Sequence, residues 1–165
     1  MTSLQSLASD STFLARAGSA GLLQVKLGKL AEKKGTSTGV VEFGKQMVTD
    51  YSKTNEELKA AAKNLGFLSP ALLRNDQQIF DRFNSMGRGS FDKNYMAEMV
   101  KQHNEEVQLF KGQSTSGRVQ ALKQLAAKML PQIEQHQSIA TQTAGSVGVN
   151  VTASTSQATE ASATN

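Results

Sequence analysis

Apolar residues recur every three or four positions along most of this chain, and that spacing places them on one face of a helix. Polar and glycine-containing stretches separate four long segments that share the pattern. The pattern therefore predicts four amphipathic helices, over about residues 10–34, 38–65 and 91–113 and from 118 onward.

Residues that begin or end helices flank these segments. Asp10 is expected to cap the first helix, and Gly35 is expected to close it in the left-handed conformation. Gly66 should stop the second helix. Pro131 lies inside the fourth segment, but the apolar period resumes beyond it, so we expect a kink and not a helix end. Three glycines inside the first helix are expected to let a neighbouring helix approach closely: Gly18, Gly21 and Gly28.

The connection between the second and third long helices holds a shorter apolar pattern. Ile79, Phe80 and Phe83 recur at helical spacing and predict a short extra helix over about 75–86. We expect this helix to lie across the long ones and to seal the core with Phe80 and Phe83. The predicted fold class is therefore all-α.

The two ends of the chain lack this organisation. Residues 1–9 are predicted to be a flexible leader, and they lack the basic and apolar regions of a signal peptide. From residue 145 the composition shifts to Ser, Thr, Ala, Gly and Val with one charge, Glu160, so residues 145–165 are predicted to be a disordered tail. Residues 10–144 then form a single helical domain.

The composition excludes several classes of site. There is no cysteine in 165 residues, which excludes a disulfide framework, a thiol nucleophile and a thiolate metal site. The net charge is +4, but the lysines are spread over several helices, so no nucleic-acid partner is expected. No run of about 18 apolar residues predicts a transmembrane segment, while the basic balance leaves contact with a membrane surface as an alternative.

Several polar side chains fall on or beside the apolar stripes. At a rise of about 1.5 Å per residue, Gln24, Tyr51 and His103 lie at similar depths in their helices, and Asp50 adjoins Tyr51. These four residues are predicted to form one buried polar layer. Each should find a partner there, because burying an unpaired polar group is costly.

The fourth long helix carries the second histidine of the chain. His136 lies roughly 20 residues beyond the third turn, and His103 lies roughly 12 residues before it, a difference in height of about 13 Å. Tyr95 is then the neighbour at the height of His136, so Tyr95 and His136 are predicted to form a second polar pair.

A metal site is the sharpest chemical hypothesis for these groups. Asp50, His103 and Glu106 are tentative ligands, and iron, copper and zinc are the candidate metals. The sequence lacks the Glu-x-x-His motif of di-iron bundles, however, and Gln24 offers only a weakly binding amide. We therefore expect no cofactor and structural, hydrogen-bonded histidines, with pH sensing by His103 or His136 as a further alternative.

Motifs of nucleophilic and nucleotide chemistry are missing from the sequence. It contains no Gly-x-Ser-x-Gly elbow, no phosphate-binding loop and no dinucleotide-binding glycine motif. Four methionines could attract a soft metal such as copper, but their helical spacing predicts that they fill the core: Met47, Met96, Met99 and Met129. An enzymatic function is therefore not expected.

Five segments of the chain carry a recognisable combination of residues: 21–31, 41–51, 91–95, 99–103 (MVKQH) and 130–136 (LPQIEQH). Together they resemble a bacterial family, domain-of-unknown-function 4142, whose members are described as predicted periplasmic or outer-membrane proteins with a ferritin-like fold. The resemblance implies an up-down-down-up four-helix bundle with a crossover between the second and third long helices. It also implies an exported origin and a periplasmic or envelope location.

The resemblance also bears on the polar residues. The family pattern usually has glutamate at the position of Gln24 and histidine at that of Tyr51, whereas His103 and His136 are retained. Two of the positions that would strengthen a metal site are therefore changed in this chain. The family has no established reaction to transfer.

Three functions follow from these patterns together with the resemblance, which alone implies the envelope location. The first is a non-enzymatic envelope protein whose helical bundle serves interaction with an envelope partner or stress tolerance. The second is a ferritin-like metal-binding or redox protein that uses Asp50, His103 and Glu106 in a degenerate mid-bundle site. The third is a module that binds a membrane surface.

Overall fold

The computed structural model describes residues 4–151, with side chains from residue 9 onward. Within this range the chain forms helices and no strand, which confirms the all-α class. The helices are α1 (Leu4–Lys34), α2 (Thr38–Leu65), α3 (Arg74–Ser85), α4 (Arg88–Ser116) and α5 (Gln120–Ser146). Across residues 4–151, no helix has both the length and the apolar character that a membrane span requires.

The two ends of α1 differ from the predicted ones. The helix begins at Leu4, so Asp10 lies inside it and does not cap it. Gly35 follows the last turn but has no positive φ, whereas Gly66 closes α2 in the left-handed region with a φ of 75°. A Cβ atom on Gly35 would lie 2.6 Å from the Ala31 carbonyl oxygen, so the lack of space requires glycine there.

The C-terminal part of the described chain is more ordered than predicted. α5 continues through Pro131, as expected, and extends to Ser146. The residues that follow add three partly buried side chains to the apolar core: Val147, Val149 and Val151. The predicted disordered tail therefore does not begin at residue 145, and its remainder, residues 152–165, lies outside the described residues.

The four long helices pack against antiparallel neighbours. α1 packs against α2, and α4 packs against α5; α1 also lies beside α4, and α2 beside α5. Asp92 at the start of α4 binds Thr36 just after the end of α1, and Asp10 near the start of α1 binds Val119 just before α5. These contacts at opposite ends make α1 antiparallel to α4 as well as to α2.

A pair of glycines allows α1 and α2 to approach closely. A Cβ atom added at Gly44 would lie 2.6 Å from the Ala31 Cβ and 2.9 Å from the Gly28 carbonyl oxygen. A Cβ atom at Gly28 would lie 2.7 Å from the Gly44 carbonyl oxygen. The expected close approach of a helix is therefore present at Gly21 and Gly28, whereas Gly18 contacts Pro70 in the loop before α3.

The short helix α3 lies along α1 and not across it, because its start contacts Ser19 and its end contacts Lys34. Phe83 is buried, with its ring centroid 5.9 Å from that of Phe91 and 6.5 Å from that of Tyr95. Phe80 is only partly buried. The Lys34 ammonium donates to the Phe83 carbonyl at 3.1 Å, so a positive charge lies at the C-terminal end of α3, where the helix dipole favours it.

Two apolar clusters fill the interior, and each of the four long helices contributes to both. The first cluster lies toward α3 and includes Leu23, Leu27, Met47, Phe83, Phe91 and Met96. The second cluster lies toward the α4–α5 turn and includes Phe13, Leu14, Leu58, Phe110, Leu122 and Ile133. Between them along α4 and α5 lie three buried polar residues: His103, Glu106 and His136.

Candidate functional site

The polar residues between the two apolar clusters begin with His103 and Glu106 on α4. Their spacing of three residues places both side chains on the same face of the helix. Each faces the interior, with exposed fractions of 0% for His103 and 4% for Glu106. The same face carries apolar residues before and after them, so packing of the helix buries these polar groups as well.

Tyr51 of α2 brings its hydroxyl group to both residues. The hydroxyl oxygen lies 3.2 Å from His103 Nε2 and also makes a short hydrogen bond with Glu106 Oε2. Tyr51 is itself buried, because α2 packs its apolar face against the first cluster. A phenol, an imidazole and a carboxyl group therefore form a connected chain within the core.

The proton positions follow from the hydrogen-bond partners. His103 Nδ1 lies 2.8 Å from the Met99 carbonyl oxygen, which can only accept, so Nδ1 carries a proton and the neutral ring accepts at Nε2. The single hydroxyl proton of Tyr51 cannot serve both His103 and a carboxylate. Both contacts are satisfied when Glu106 is protonated and donates to the Tyr51 oxygen, while Tyr51 donates to His103.

Burial favours this neutral arrangement. It raises the pKa of Glu106 to about 7, and the charges of Asp76 and Glu105 act in the same direction. The Tyr51 hydroxyl opposes this shift, because it can donate to an ionised Glu106 carboxylate. Burial also lowers the pKa of His103 to about 4, although its Met99 contact acts in the opposite direction. Below about pH 7 Glu106 is therefore protonated, and the hydrogen-bonded chain from Glu106 through Tyr51 to His103 carries no net charge.

A second imidazole lies beside these hydrogen-bonded side chains. His136 of α5 donates from Nε2 to Asp50 Oδ2 of α2 at 2.8 Å. Its ring centroid lies 5.4 Å from that of Tyr51 and 5.7 Å from that of His103. Burial lowers the pKa of His136 despite the nearby Asp50 carboxylate, and His136 Nδ1 has no hydrogen-bond partner among the described residues.

The predicted pair of Tyr95 and His136 is therefore wrong. The Tyr95 hydroxyl has no hydrogen-bond partner among the described residues, and its ring stacks on Phe91 at 5.3 Å within the first cluster. The height estimate failed because residues 117–119 cross between the helices and add no height. His103 lies thirteen residues before the end of α4 and His136 sixteen after the start of α5, which is a difference of only about one turn.

Gln24 is buried but belongs to a neighbouring hydrogen-bond chain. Its Nε2 donates to Gln102 Oε1 at 3.3 Å, and Gln102 donates to Glu98 Oε1 at 3.0 Å. Arg82 of α3 binds the other Glu98 oxygen at 3.2 Å. The sequence interpretation missed Glu98 and Gln102, although the four-residue spacing of Glu98, Gln102 and Glu106 would have placed them on one helix face.

The tentative metal ligands do not converge. Asp50 binds His136, whereas His103 and Glu106 meet at the Tyr51 hydroxyl group. Within the described part of the chain, no group of three or more His, Cys, Asp or Glu side chains is arranged to hold a metal ion. The four methionines considered as soft ligands are buried in the two apolar clusters.

A protein-family model matches this chain. It is described as Domain of unknown function (DUF4142) and covers residues 2–143, a range that contains Tyr51, His103, Glu106 and His136. No curated protein and no solved structure matches the chain.

Proposed function

The chain belongs to the DUF4142 family, which has no assigned function, and on that premise we propose a role from the geometry of its interior. The protein acts as a non-enzymatic helical-bundle protein of the bacterial envelope. Its role is interaction with an envelope partner or stress tolerance, and it performs no reaction of its own.

The proposed architecture is a ferritin-like bundle with up-down-down-up order. Its support is the set of neighbours of each long helix: α1 lies beside α2 and α4, and α5 lies beside α2 and α4. The antiparallel contacts of α1, together with the crossover through α3, support this order of directions. Periplasmic or envelope location is proposed from the resemblance to the family alone.

The observation that carries the non-enzymatic proposal is the mutual pairing of the polar side chains. The Tyr51 hydroxyl lies against His103 Nε2, the nitrogen that would otherwise be free to bind a metal or a substrate. His136 Nε2 donates to Asp50, whereas its Nδ1, the nitrogen with a lone pair, has no partner among the described residues. Most of the reactive polar groups are therefore hydrogen-bonded to one another, as expected of a structural polar layer.

A metal-binding or redox role is the second candidate. It is favoured by the convergence of two imidazoles, one phenol and one carboxyl group from three helices, and by two buried atoms without partners in the described residues, Glu106 Oε1 and His136 Nδ1. An ion would have to displace the Tyr51 hydroxyl from His103 and Glu106. The family's usual histidine and glutamate at positions 51 and 24 are absent, which makes this candidate the weaker one.

Elemental analysis of the purified protein distinguishes the two candidates. The protein is incubated with iron, copper or zinc under aerobic and reducing conditions, and unbound metal is then removed by gel filtration. The proposal predicts far less than one metal ion per chain in every condition. About one ion per chain in the wild type, kept in the exposed-site control Glu105→Gln and lost in His103→Ala, would establish the metal-binding role instead.

A further inference from the structure

The loop between α2 and α3, residues 66–73, presents apolar side chains to solvent. Within residues 9–151, the exposed large apolar side chains all lie in this loop or directly before it: Leu65, Leu68 and Leu73. Leu68 is 92% exposed, so the described part of the chain covers almost none of it. Burial of such side chains against a partner is favourable, and their clustering on a surface marks an interaction site.

The residues on either side hold Leu68 in its outward position. Phe67 packs against the second apolar cluster, and Leu72 packs against the first. Pro70 fills the space beside Gly18, where an added Cβ atom would lie 2.1 Å from the Pro70 Cβ. Because these side chains occupy the space beneath the loop, the fold presents Leu68 outward before any partner binds, which lowers the entropic cost of docking.

Positive charges lie beside the exposed leucines. Lys59 and Pro70 line the same surface depression, and Arg16 and Leu73 line another. Four exposed cations lie next to the loop, and none of them has an ion pair within the described residues: Arg16, Lys59, Lys63 and Arg74. Long basic side chains of this kind keep their charged ends in a polar phase while their stems lie on an apolar one.

Acidic residues are sparse around the loop. Residues 58–75 contain three cations and no Asp or Glu. Asp76 accepts a hydrogen bond from Ser19, and Glu56 lies near the loop at the edge of the depression that Lys59 lines. The charge next to the exposed leucines is therefore positive on balance, and it complements an anionic surface that also offers an apolar interior.

We propose that the α2–α3 loop docks the protein on an anionic lipid bilayer, with Leu68 at the boundary of headgroups and acyl chains and the four cations on lipid phosphates. Burial of apolar area and attraction to anionic lipids act together in such interfacial binding. A second copy of the chain fits less well, because a symmetric contact would bring the same cations together. The inference rests on the proposed envelope role, for which it names an anionic membrane as the partner.

Co-sedimentation of the full chain with lipid vesicles tests the proposal. One set of vesicles contains phosphatidylcholine alone, and the other contains phosphatidylcholine and phosphatidylglycerol in equal amounts. The protein is expected to bind the anionic vesicles at least about tenfold more tightly, and high salt should weaken this binding by screening the charges. Equal binding to both sets, or no binding to the anionic one, would overturn the proposal.

Leu68→Asp tests the apolar contact. The side chain is almost wholly exposed, so the variant should fold as the wild type does, which far-ultraviolet circular dichroism checks. Ala97→Asp is the control, because it adds the same charge at an exposed position on α4. Leu68→Asp is expected to weaken binding to anionic vesicles at least about tenfold, and the control less than about threefold. Equal weakening of the two folded variants would overturn the proposal.

Two pairs of lysines test the position of the charges. Lys59→Gln with Lys63→Gln removes two exposed cations near the end of α2, beside the loop. Lys29→Gln with Lys33→Gln removes two exposed cations with the same spacing near the end of α1, at the opposite end of the bundle. The first pair should weaken binding at least about tenfold and the second less than about threefold. An equal loss would mean that net charge alone drives binding, contrary to the proposal.

Sedimentation velocity of the protein without lipid tests the competing occupant. A monomer is expected. A dimer that Leu68→Asp dissociates would show that a second copy covers the loop, and the lipid proposal would be overturned. Failure of vesicle binding would leave the elemental analysis unaffected, so it would remove the lipid partner without deciding whether the protein is non-enzymatic.

Discussion

Glu106 and His103 respond to pH in opposite directions. The pKa of His103 is lowered to about 4 from an ordinary 6.5. Between these two pH values the histidine of the unfolded chain binds a proton and that of the folded chain does not. Stability is therefore lost as the pH falls from 6.5 to about 4. The pKa of Glu106 is raised to about 7 from an ordinary 4.5. The folded chain therefore keeps a proton that the unfolded chain releases, and stability is lost as the pH rises through that window.

Glu106→Gln isolates the second effect. The amide keeps a donor for the Tyr51 oxygen and cannot ionise, so we expect a stability close to that of the wild type near pH 5. Above pH 7 the variant should be more stable by up to about 3 kcal/mol, because a tenfold change in an acid constant corresponds to about 1.4 kcal/mol. Urea unfolding at pH 5 and pH 8 measures both values.

The exposed neighbour Glu105 supplies the control. Glu105→Gln removes the same charge one residue away and should change the free energy of unfolding by less than about 0.5 kcal/mol at either pH. If Glu106→Gln proved less stable than the wild type at pH 8, the carboxyl group would be ionised and stabilising in the folded protein. The neutral arrangement would then be wrong.

At the scale of the helices, two carboxylates bind turns that belong to other elements. Asp92 of α4 accepts from the Thr36 and Ser37 amides, at distances of 3.1 and 2.7 Å, just before α2. Asp10 of α1 accepts from the Val119 amide at 2.9 Å, just before α5. Each carboxylate satisfies free amide groups at a helix start, which is ordinarily the task of an N-cap side chain.

Asp92→Ala is expected to lower the free energy of unfolding by about 1–2 kcal/mol, the usual cost of removing a cap. Hydrogen exchange of the Thr36 and Ser37 amides should quicken, while that of the Val119 amide at the opposite end should not. Asp92→Asn keeps one acceptor oxygen and should lose less. Uniform faster exchange at both ends would contradict a local role for Asp92.

The contact of α1 with α2 leads to a second prediction at this scale. Gly44→Ala would bring a methyl group within 2.6 Å of the Ala31 Cβ and 2.9 Å of the Gly28 carbonyl oxygen, so the helices must separate. We expect a loss of about 1–3 kcal/mol in thermal or urea unfolding.

Gly112 on α4 is the matched control, because a Cβ atom there meets nothing within 4 Å. Gly112→Ala should stabilise the protein by about 0.5–1 kcal/mol, since alanine loses less conformational entropy than glycine in a helix. Destabilisation of both variants by the same amount would mean that helix packing does not limit position 44.

At the scale of the whole molecule, the two apolar clusters are coupled through shared helices. Each long helix contributes side chains to both clusters, and the polar residues between them are hydrogen-bonded across α2, α4 and α5. Neither cluster can unfold alone, because a long helix that leaves one cluster also removes its side chains from the other. We therefore expect a single cooperative unfolding transition.

The tyrosines provide a local probe for this prediction. The chain has two tyrosines and no tryptophan, and both Tyr51 and Tyr95 belong to the first cluster. The near-ultraviolet circular dichroism of these rings should be lost at the same urea concentration as the far-ultraviolet signal of all the helices. Loss of the tyrosine signal at a lower concentration would show that the first cluster opens separately.

The sequence by itself determined the number, order and approximate extent of the helices. Apolar spacing located α2 and α3 closely, and the period beyond Pro131 correctly indicated that α5 continues. It also marked Tyr51 and His103 as inward-facing residues of similar depth, and the structure brings them together. These properties are local, because a helix that buries one face carries apolar residues at a regular spacing in its own sequence.

Only the tertiary structure decided which polar groups meet. It placed His136 beside His103 and Asp50, moved Gln24 onto Gln102, and brought Asp10 to the start of α5. Such contacts depend on how far one helix is displaced along another, and a shift of a single turn, about 5.4 Å, exchanges one partner for the next. That displacement is fixed by the packing of all the helices and the lengths of their turns, so no single segment of the sequence contains it.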